Sequence, residues 1–390
     1  MTQKDLTELI QNRRYLHACP EIGLHLPKTK AFVIKKLTEY GLTPTECGRS
    51  ITAFIGKKRG KILLLRADMD GLKIKEQTGK SFSAKNGNMH ACGHDMHTAI
   101  LLAVAKMLKE KEASLNGGVK FLFQVAEETL QGAKDAVDAG VLQSPKISGA
   151  MMLHVLTGVD LPSNKLIVAK SGITAPSADF FKITVFGKSC HGSTPQNGID
   201  AIAVACRVIL ALEEIVAKEF SFQSGLVLTV GNIQGGTADN VIADKVIFQG
   251  TMRTFDEEVR KNVKLRIKEI VSRITKAFRA KGKLVFTSGC PCLKNDEALS
   301  RFAYETLSKK LGQQEVYHSA DLEGASKKMG GSEDFAYISQ EVPALMLSLT
   351  AGSPADGYVY PLHHSKTDFD EKVMQRGAQA FYILATEWLK

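Results

Sequence analysis

The chain has 390 residues, 44% of them apolar and 24% charged, which is the make-up of an ordinary globular protein and, at this length, of two domains rather than one. Apolar runs such as Lys61 to Ala67 are too short to span a bilayer, the start MTQKDLTEL lacks the apolar stretch of a signal peptide, and seven cysteines do not make a disulfide framework, so a cytoplasmic protein with no membrane partner is expected. The net charge of +10 raises nucleic acid as a partner, but much of the excess (Arg260, Lys261, Lys264, Arg266, Lys268, Arg273, Lys276, Arg279) accompanies an amphipathic apolar stripe, as on a solvated helix face, and no nucleic-acid-binding signature goes with it, so none is expected.

In chain order, Leu6 to His17 and Lys28 to Tyr40 carry helical apolar spacing, the second ending at Gly41. Ile51 to Ile55 and Lys61 to Arg66 read as strands. A helix follows His97 through Lys109, and the buried strands VKFLFQV (Val119 to Val125) and Ala150 to Val155 come next. Strands alternating with helices predict an α/β domain with a mainly parallel sheet. From about Ala178 the texture changes to strand Asp179 to Gly187, helix Asp200 to Val216, strands Leu226 to Ile233 and Lys245 to Phe255, helix Glu257 to Ala280 and strand Lys283 to Thr287. This β-α-β-β-α-β order is that of a ferredoxin-like α+β unit. The α/β texture then resumes with a helix capped by Asp296 and ending at Gly312, strand Ala344 to Leu349 and helix Glu371 to Lys390. The expected division is a discontinuous catalytic domain, 1–176 and 289–390, with a smaller domain, 177–288, inserted in it.

The densest chemical cluster is HACGHDMH, residues 90–97, with three of the ten histidines, Cys92 and Asp95. Thiolate and imidazole are ligands that a borderline-soft divalent ion prefers, and Gly93 between Cys92 and His94 lets the backbone bend around an ion. A buried thiol and histidines gathered at a helix start are the bland alternative. Glu127 and Glu128 directly follow a strand, where open α/β sheets build their sites; one could hold a metal while its neighbour handles a proton. His154 ends the next apolar strand, Asp68 and Asp70 follow KILLLRA, and His363 with His364 lies in the loop after the last strand. Each is weak alone, and structural hydrogen bonding competes for the two aspartates. Their shared position after strands is what would gather them at one sheet edge. His17, His25 and His318 receive no role.

The ordered motifs Arg13-Arg14-Tyr15-Leu16-His17 with Pro20-Glu21, Arg66-Ala67-Asp68-Met69-Asp70, HACGHD, Ala126-Glu127-Glu128, Gly187 with His191, Gly235-Gly236 with Asn240, Arg253, Gly331-Ser332-Glu333-Asp334-Phe335 and Leu362-His363 cover nearly the whole chain. In these the sequence resembles the metallo-aminoacylase superfamily, in the branch of hippurate hydrolases, auxin-conjugate amidohydrolases and N-acetyldiaminopimelate deacetylases. The resemblance implies two divalent metal ions (zinc, manganese, cobalt or nickel) on Cys92, His94, Glu128, His154 and His363, with Glu127 as general acid/base. It makes the inserted domain a lid and dimerisation domain, giving a homodimer or a dimer-based oligomer and contributing His191 to catalysis and Asn240 and Arg253 to substrate binding. Val125 and Thr129 stand where the family usually has a proline and a glycine around the glutamates, and His364-Ser365-Lys366 replaces a proline that is common there. None of these departures removes a ligand or the base.

The function implied is hydrolysis of the amide bond of N-acyl-L-amino acids, with a metal-activated water and Glu127 taking its proton. The alternatives are a dipeptidase of the same superfamily and a thiol hydrolase using Cys92 or Cys190 with a nearby histidine. Cys190 and His191 are neighbours on an extended segment and point to opposite faces, which places that pair poorly. A non-enzymatic metal-binding protein fits poorly with retention of Glu127. The stretch 231–240, GNIQGGTADN, fits no phosphate-loop spacing and reads as a turn presenting Asn240.

Overall fold

The computed structural model describes residues 1–322 and 330–390 and divides into two compact units. The first takes Met1–Thr174, 293–322 and Glu333–Lys390; the second takes Ala175–Cys292 and residues 330–332, the last a piece the sequence reading left with the catalytic domain.

The first unit is built on an eight-stranded sheet. Its strands lie in the order Thr45–Cys47, Ser50–Gly56, Gly118–Gln124, Ile62–Asp68, Gly149–Leu156, Ala344–Thr350, Leu166–Val168 and Val316–His318. The central strands run parallel, Ile62–Asp68 beside both Gly118–Gln124 and Gly149–Leu156, and the last beside Ala344–Thr350. Ile62–Asp68 and Gly118–Gln124 are buried at every position, which explains why they are largely apolar without alternation: a strand covered on both faces has no solvent side to alternate with. Helix His94–Lys109 is buried from His94 through Ala105 and packs with Gln3–Ala18 and Met374–Trp388 in one apolar core. Parallel order brings the C-terminal ends of Ile62–Asp68, Gly118–Gln124 and Gly149–Leu156 to one edge, and Asp68, Glu127 and His154 all lie there.

Several elements differ from expectation. Leu166–Val168 runs antiparallel to Ala344–Thr350, and with Thr45–Cys47 and Val316–His318 it is only three residues long, too short to show a period. The short helix Gly132–Asp138 was also unforeseen. The closing helix starts at Met374, after a 3₁₀ turn over Glu371–Val373.

The second unit has one antiparallel sheet, ordered Val227–Gly235, Lys245–Thr254, Ser177–Phe186, Lys281–Cys290. Helices Ala201–Glu214 and Glu257–Ala277 pack on it around a separate apolar core. Asp200 and Asp256 cap these helices by accepting from their first backbone N–H groups. Part of the basic helix is paired: Arg260 and Lys264 meet Asp179 at 2.6 and 2.9 Å, and Arg266 meets Glu219 at 2.7 Å. No helix among the described residues is long and apolar enough to cross a membrane.

Candidate metal centre

The turn that ends at His94 is where the site begins. Gly93 has φ +85°, a left-handed conformation, and a side chain there would collide with Val155. This bend leads Cys92 directly into His94, the first residue of its helix. The His94 Nδ1–H donates to the backbone carbonyl of Asp70 at 2.9 Å, which leaves Nε2 as the free lone pair. His154 repeats the device, with Nδ1 2.7 Å from the Val155 carbonyl and Nε2 facing Cys92 Sγ at 3.5 Å. His363, at the left-handed φ of +65° and tied by its N–H to the Ala91 carbonyl at 2.9 Å, points Nε2 at Cys92 Sγ (3.2 Å) and Glu128 Oε1 (3.5 Å).

The five residues named as ligands thus aim one donor atom each into a common space. Cys92 is shared by two triads, one with His94 and His154, the other with Glu128 and His363, each with its donor atoms within 4.8 Å of one another. The His94 Nε2 and Glu128 Oε1 atoms are buried and have no hydrogen-bond partner among the described residues. Asp68, Glu127 and Glu128 oxygens stand 3.8, 3.9 and 3.9 Å from His94 Nε2, beyond hydrogen-bonding reach. Orphaned buried donors and acceptors are costly, and a thiol, imidazoles and a carboxylate converging on one point is the donor set of a borderline divalent ion. The residues fit such an ion.

The electrostatics agree. Burial pushes Glu127 well above the usual carboxylate range, with Glu333 and Glu128 adding like charge. Burial likewise raises Glu128 to about 7 against the opposing pull of His94. Burial and then Glu128 push the Cys92 thiol up. Burial works against a charged His94, but the Asp68 carboxylate outweighs it and holds the imidazole well above its usual range. The His94 imidazole pulls against the burial of Glu127 and Glu128 but does not offset it.

Around the donors lies a rigid frame. The Asp70 carboxylate accepts the backbone N–H of Glu127 and of Glu128, both at 3.1 Å, and so sets the glutamate turn, which Ala126 enters at φ +56°. Asp68 accepts from His97 Nδ1 and from Arg66, each at 2.6 Å. Arg66 is fully buried and also grips Gln124, Glu333 and Asp334 at 2.9 to 3.0 Å. For Asp68 and Asp70, then, structural hydrogen bonding is what the geometry displays. Sequence reasoning listed Arg66, Glu333 and Asp334 only as motif letters; nothing local signals a partnership across more than 260 residues of chain.

His191, Asn240 and Arg253 lie in the second unit. His191 is on the short strand Cys190–His191, paired with Val241–Ile242, and Gly192 N–H donates to the Asn240 carbonyl at 2.7 Å, so His191 and Asn240 are neighbours. The His191 ring is exposed, with Nδ1 2.7 Å from Ser193 Oγ. Arg253, half-buried on Lys245–Thr254, donates to Ser332 Oγ at 3.1 Å.

The profile of the family described as peptidase family M20/M25/M40 matches residues 64–387. An N-acetyl-L-cysteine deacetylase of Bacillus subtilis is 36% identical over 98% of this chain and 88% of its own length. An N-acetyldiaminopimelate deacetylase of Bacillus velezensis is 34% identical, over 94% of this chain and 95% of its own. Among solved structures, a Bacillus subtilis protein described as a dinuclear metal binding peptidase from the M20 family superposes with a TM-score of 0.78 at 30% identity, covering 100% of this chain and 99% of that one.

Proposed function

Because the chain belongs to peptidase family M20/M25/M40, we propose that it hydrolyses the amide bond of N-acyl-L-amino acids, giving a carboxylate and the free amino acid. The observation that carries this is the convergence of Cys92, His94, Glu128, His154 and His363 beside a second buried carboxylate, Glu127, that the ligand set does not need. The two deacetylase relatives support an acetyl group on an amino acid as the scissile unit.

Two divalent ions (zinc, manganese, cobalt or nickel) held by those five residues would draw electron density from the amide carbonyl and lower the pKa of a water toward about 7. Glu127 takes the water's proton on a carboxylate oxygen and hands it to the departing amide nitrogen. Its raised affinity for a proton suits a group that must hold one between two transfers. His191 donates to the tetrahedral oxyanion, a contact whose loss typically costs about 100- to 1000-fold in rate. Arg253 grips the α-carboxylate of the amino-acid half through its planar fork, with Asn240 beside His191 completing the second unit's share. These last roles rest on the sequence resemblance and the chemistry of the residue types. Homodimerisation through the second unit is supported by its outer strand Val227–Gly235, where Val227 and Ile233 are exposed. Seven cysteines with no disulfide among them support a cytoplasmic location.

A free-thiol mechanism runs against the electrostatics, since burial raises the Cys92 thiol when a nucleophile needs it lowered. The test is a hydrolysis screen of N-acyl amino acids, their carboxamides and dipeptides, with chelated and metal-reconstituted protein. Turnover of N-acyl amino acids that chelation abolishes and a divalent ion restores is expected. Arg253→Ala should lower kcat/KM on the acids far more than on the carboxamides. Activity surviving exhaustive chelation, or a preference for dipeptides, would overturn the reading.

A further inference from the structure

His17 belongs to none of the ligand or proton-transfer groups, yet its side chain is 2% exposed and both of its ring nitrogens face carboxylates. Nδ1 is 2.9 Å from Asp95 Oδ2, and Nε2 is 3.1 Å from Glu76 Oε1. Carboxylates only accept, so both ring nitrogens donate to them, and Arg13 Nη2, a donor 3.4 Å from Nδ1, makes no bond to a protonated ring. Asp95 Oδ2 also takes the Nε–H of Arg13 at 2.7 Å, one helical turn before His17 on the same face of Gln3–Ala18. Arg13 reaches on to Glu371 at 3.1 Å. Phe82 covers the arrangement, edge-on to the His17 ring at 5.5 Å and beneath the Arg13 guanidinium at 5.0 Å, and the His90 ring is 6.4 Å away. Glu76 is itself anchored by the Ala84 N–H at 2.6 Å and by Thr78.

What these groups hold is the start of the helix that carries His94. Asp95 is the next residue, and Cys92 lies just across the left-handed Gly93. Gly93 itself is tied by its N–H to the His90 carbonyl at 3.3 Å and by its carbonyl to the N–H groups of Met96 and His97 at 2.9 and 3.1 Å. The His94 ring is held by the Asp70 carbonyl, and the Asp95 side chain ties the same turn to Arg13 and His17.

We propose that His17 is a positioning residue for the metal centre: bonded through both ring nitrogens to Glu76 and Asp95, it fixes, through Asp95, the turn that presents Cys92 and His94. The inference rests on the reading of Cys92 and His94 as ion ligands. Buried ion pairs of this kind seldom add to stability over a well-packed apolar pair, whereas groups behind metal ligands tune affinity, typically by about 10- to 100-fold.

That contrast supplies the test. Cobalt affinity is measured on the full chain by competition with a chromophoric chelator, together with the visible spectrum of the cobalt-loaded protein, and Tm and circular dichroism report the fold. Two variants are compared with wild type: His17→Gln, which keeps an amide donor toward Asp95, and the double variant His17→Leu with Glu76→Leu, which replaces the pair by apolar volume. The double variant should stay folded, bind cobalt at least about tenfold more weakly and show an altered spectrum. His17→Gln should fall between it and wild type. Wild-type cobalt affinity and spectrum in the double variant would overturn the proposal, whatever its Tm. So would unfolding of both variants, which would make the grip one on the fold. A wild-type chain that binds no cobalt would instead overturn the metal reading itself, a distinct failure.

Discussion

In the second unit the buried carboxylate of Asp179 is met by Arg260 at 2.6 Å and Lys264 at 2.9 Å, and its charge is balanced within the protein. In the first unit Glu127 is buried and Glu128 nearly so, but Arg66 spends its donors on Gln124, Asp68, Glu333 and Asp334 and leaves none for them. The Glu128 Oε1 and His94 Nε2 atoms stay unpartnered among the described residues. Both regions bury charge; only one buries it unbalanced. A balanced cluster is a strut, whereas carboxylates that no arginine or lysine meets, behind a frame that prevents their relaxing, make a site suited to a divalent ion.

Arg66 tests the frame. Arg66→Ala strips the counter-charge from Asp68, Glu333 and Asp334 at once, all of them buried. A loss of about 3–5 kcal/mol is expected in denaturant unfolding of ion-free protein, the cost of breaking a buried pair by removing one partner. A loss under 1 kcal/mol would make the frame dispensable.

Asp179→Asn should cost less, about 2 kcal/mol, because it removes charged hydrogen bonds whose cationic partners still reach water. It should leave ion content and the turnover of bound substrate near wild type. If it emptied the metal centre, the contrast between the two regions would fail.

The smallest effect is a pH dependence. Burial opposes the charged form of His17, but Asp95 outweighs it and raises the imidazole above its ordinary 6.5. A group whose affinity for a proton rises on folding gives its full stabilisation below its unfolded value and loses it as pH climbs through the folded one. The stability difference between ion-free wild type and His17→Gln should therefore be largest below 6.5 and shrink on the alkaline side. A difference that grows with pH would mean that His17 is buried neutral.

Much of this was legible in the sequence, and the reasons are physical. The strands around the site are covered on both faces, so Ile62–Asp68 and Gly118–Gln124 appear as largely apolar runs without alternation, and the chemistry-bearing residues lie at or just after their ends. Parallel order then brings Glu127 and His154 to one edge without any further signal. The capping Asp296 marks its helix for a similarly local reason. What was hidden depends on contacts across the chain. His17 and Asp95 are 78 residues apart, and Arg66 and Glu333 are 267 apart, and nothing near either residue announces the other. Leu166–Val168 was missed because three residues show no period, and the sheet accepts it only through its neighbours.

The central claim is a division of labour between adjacent glutamates, Glu128 for the ion and Glu127 for the proton. It is tested most directly by measuring metal content and turnover together in Glu127→Gln and Glu128→Gln. Glu127→Gln should keep its ions and lose turnover by about 100- to 10,000-fold, since the amide preserves the shape but accepts no proton. Glu128→Gln should lose metal. Metal lost from Glu127→Gln and retained by Glu128→Gln, with turnover following the metal, would contradict the account.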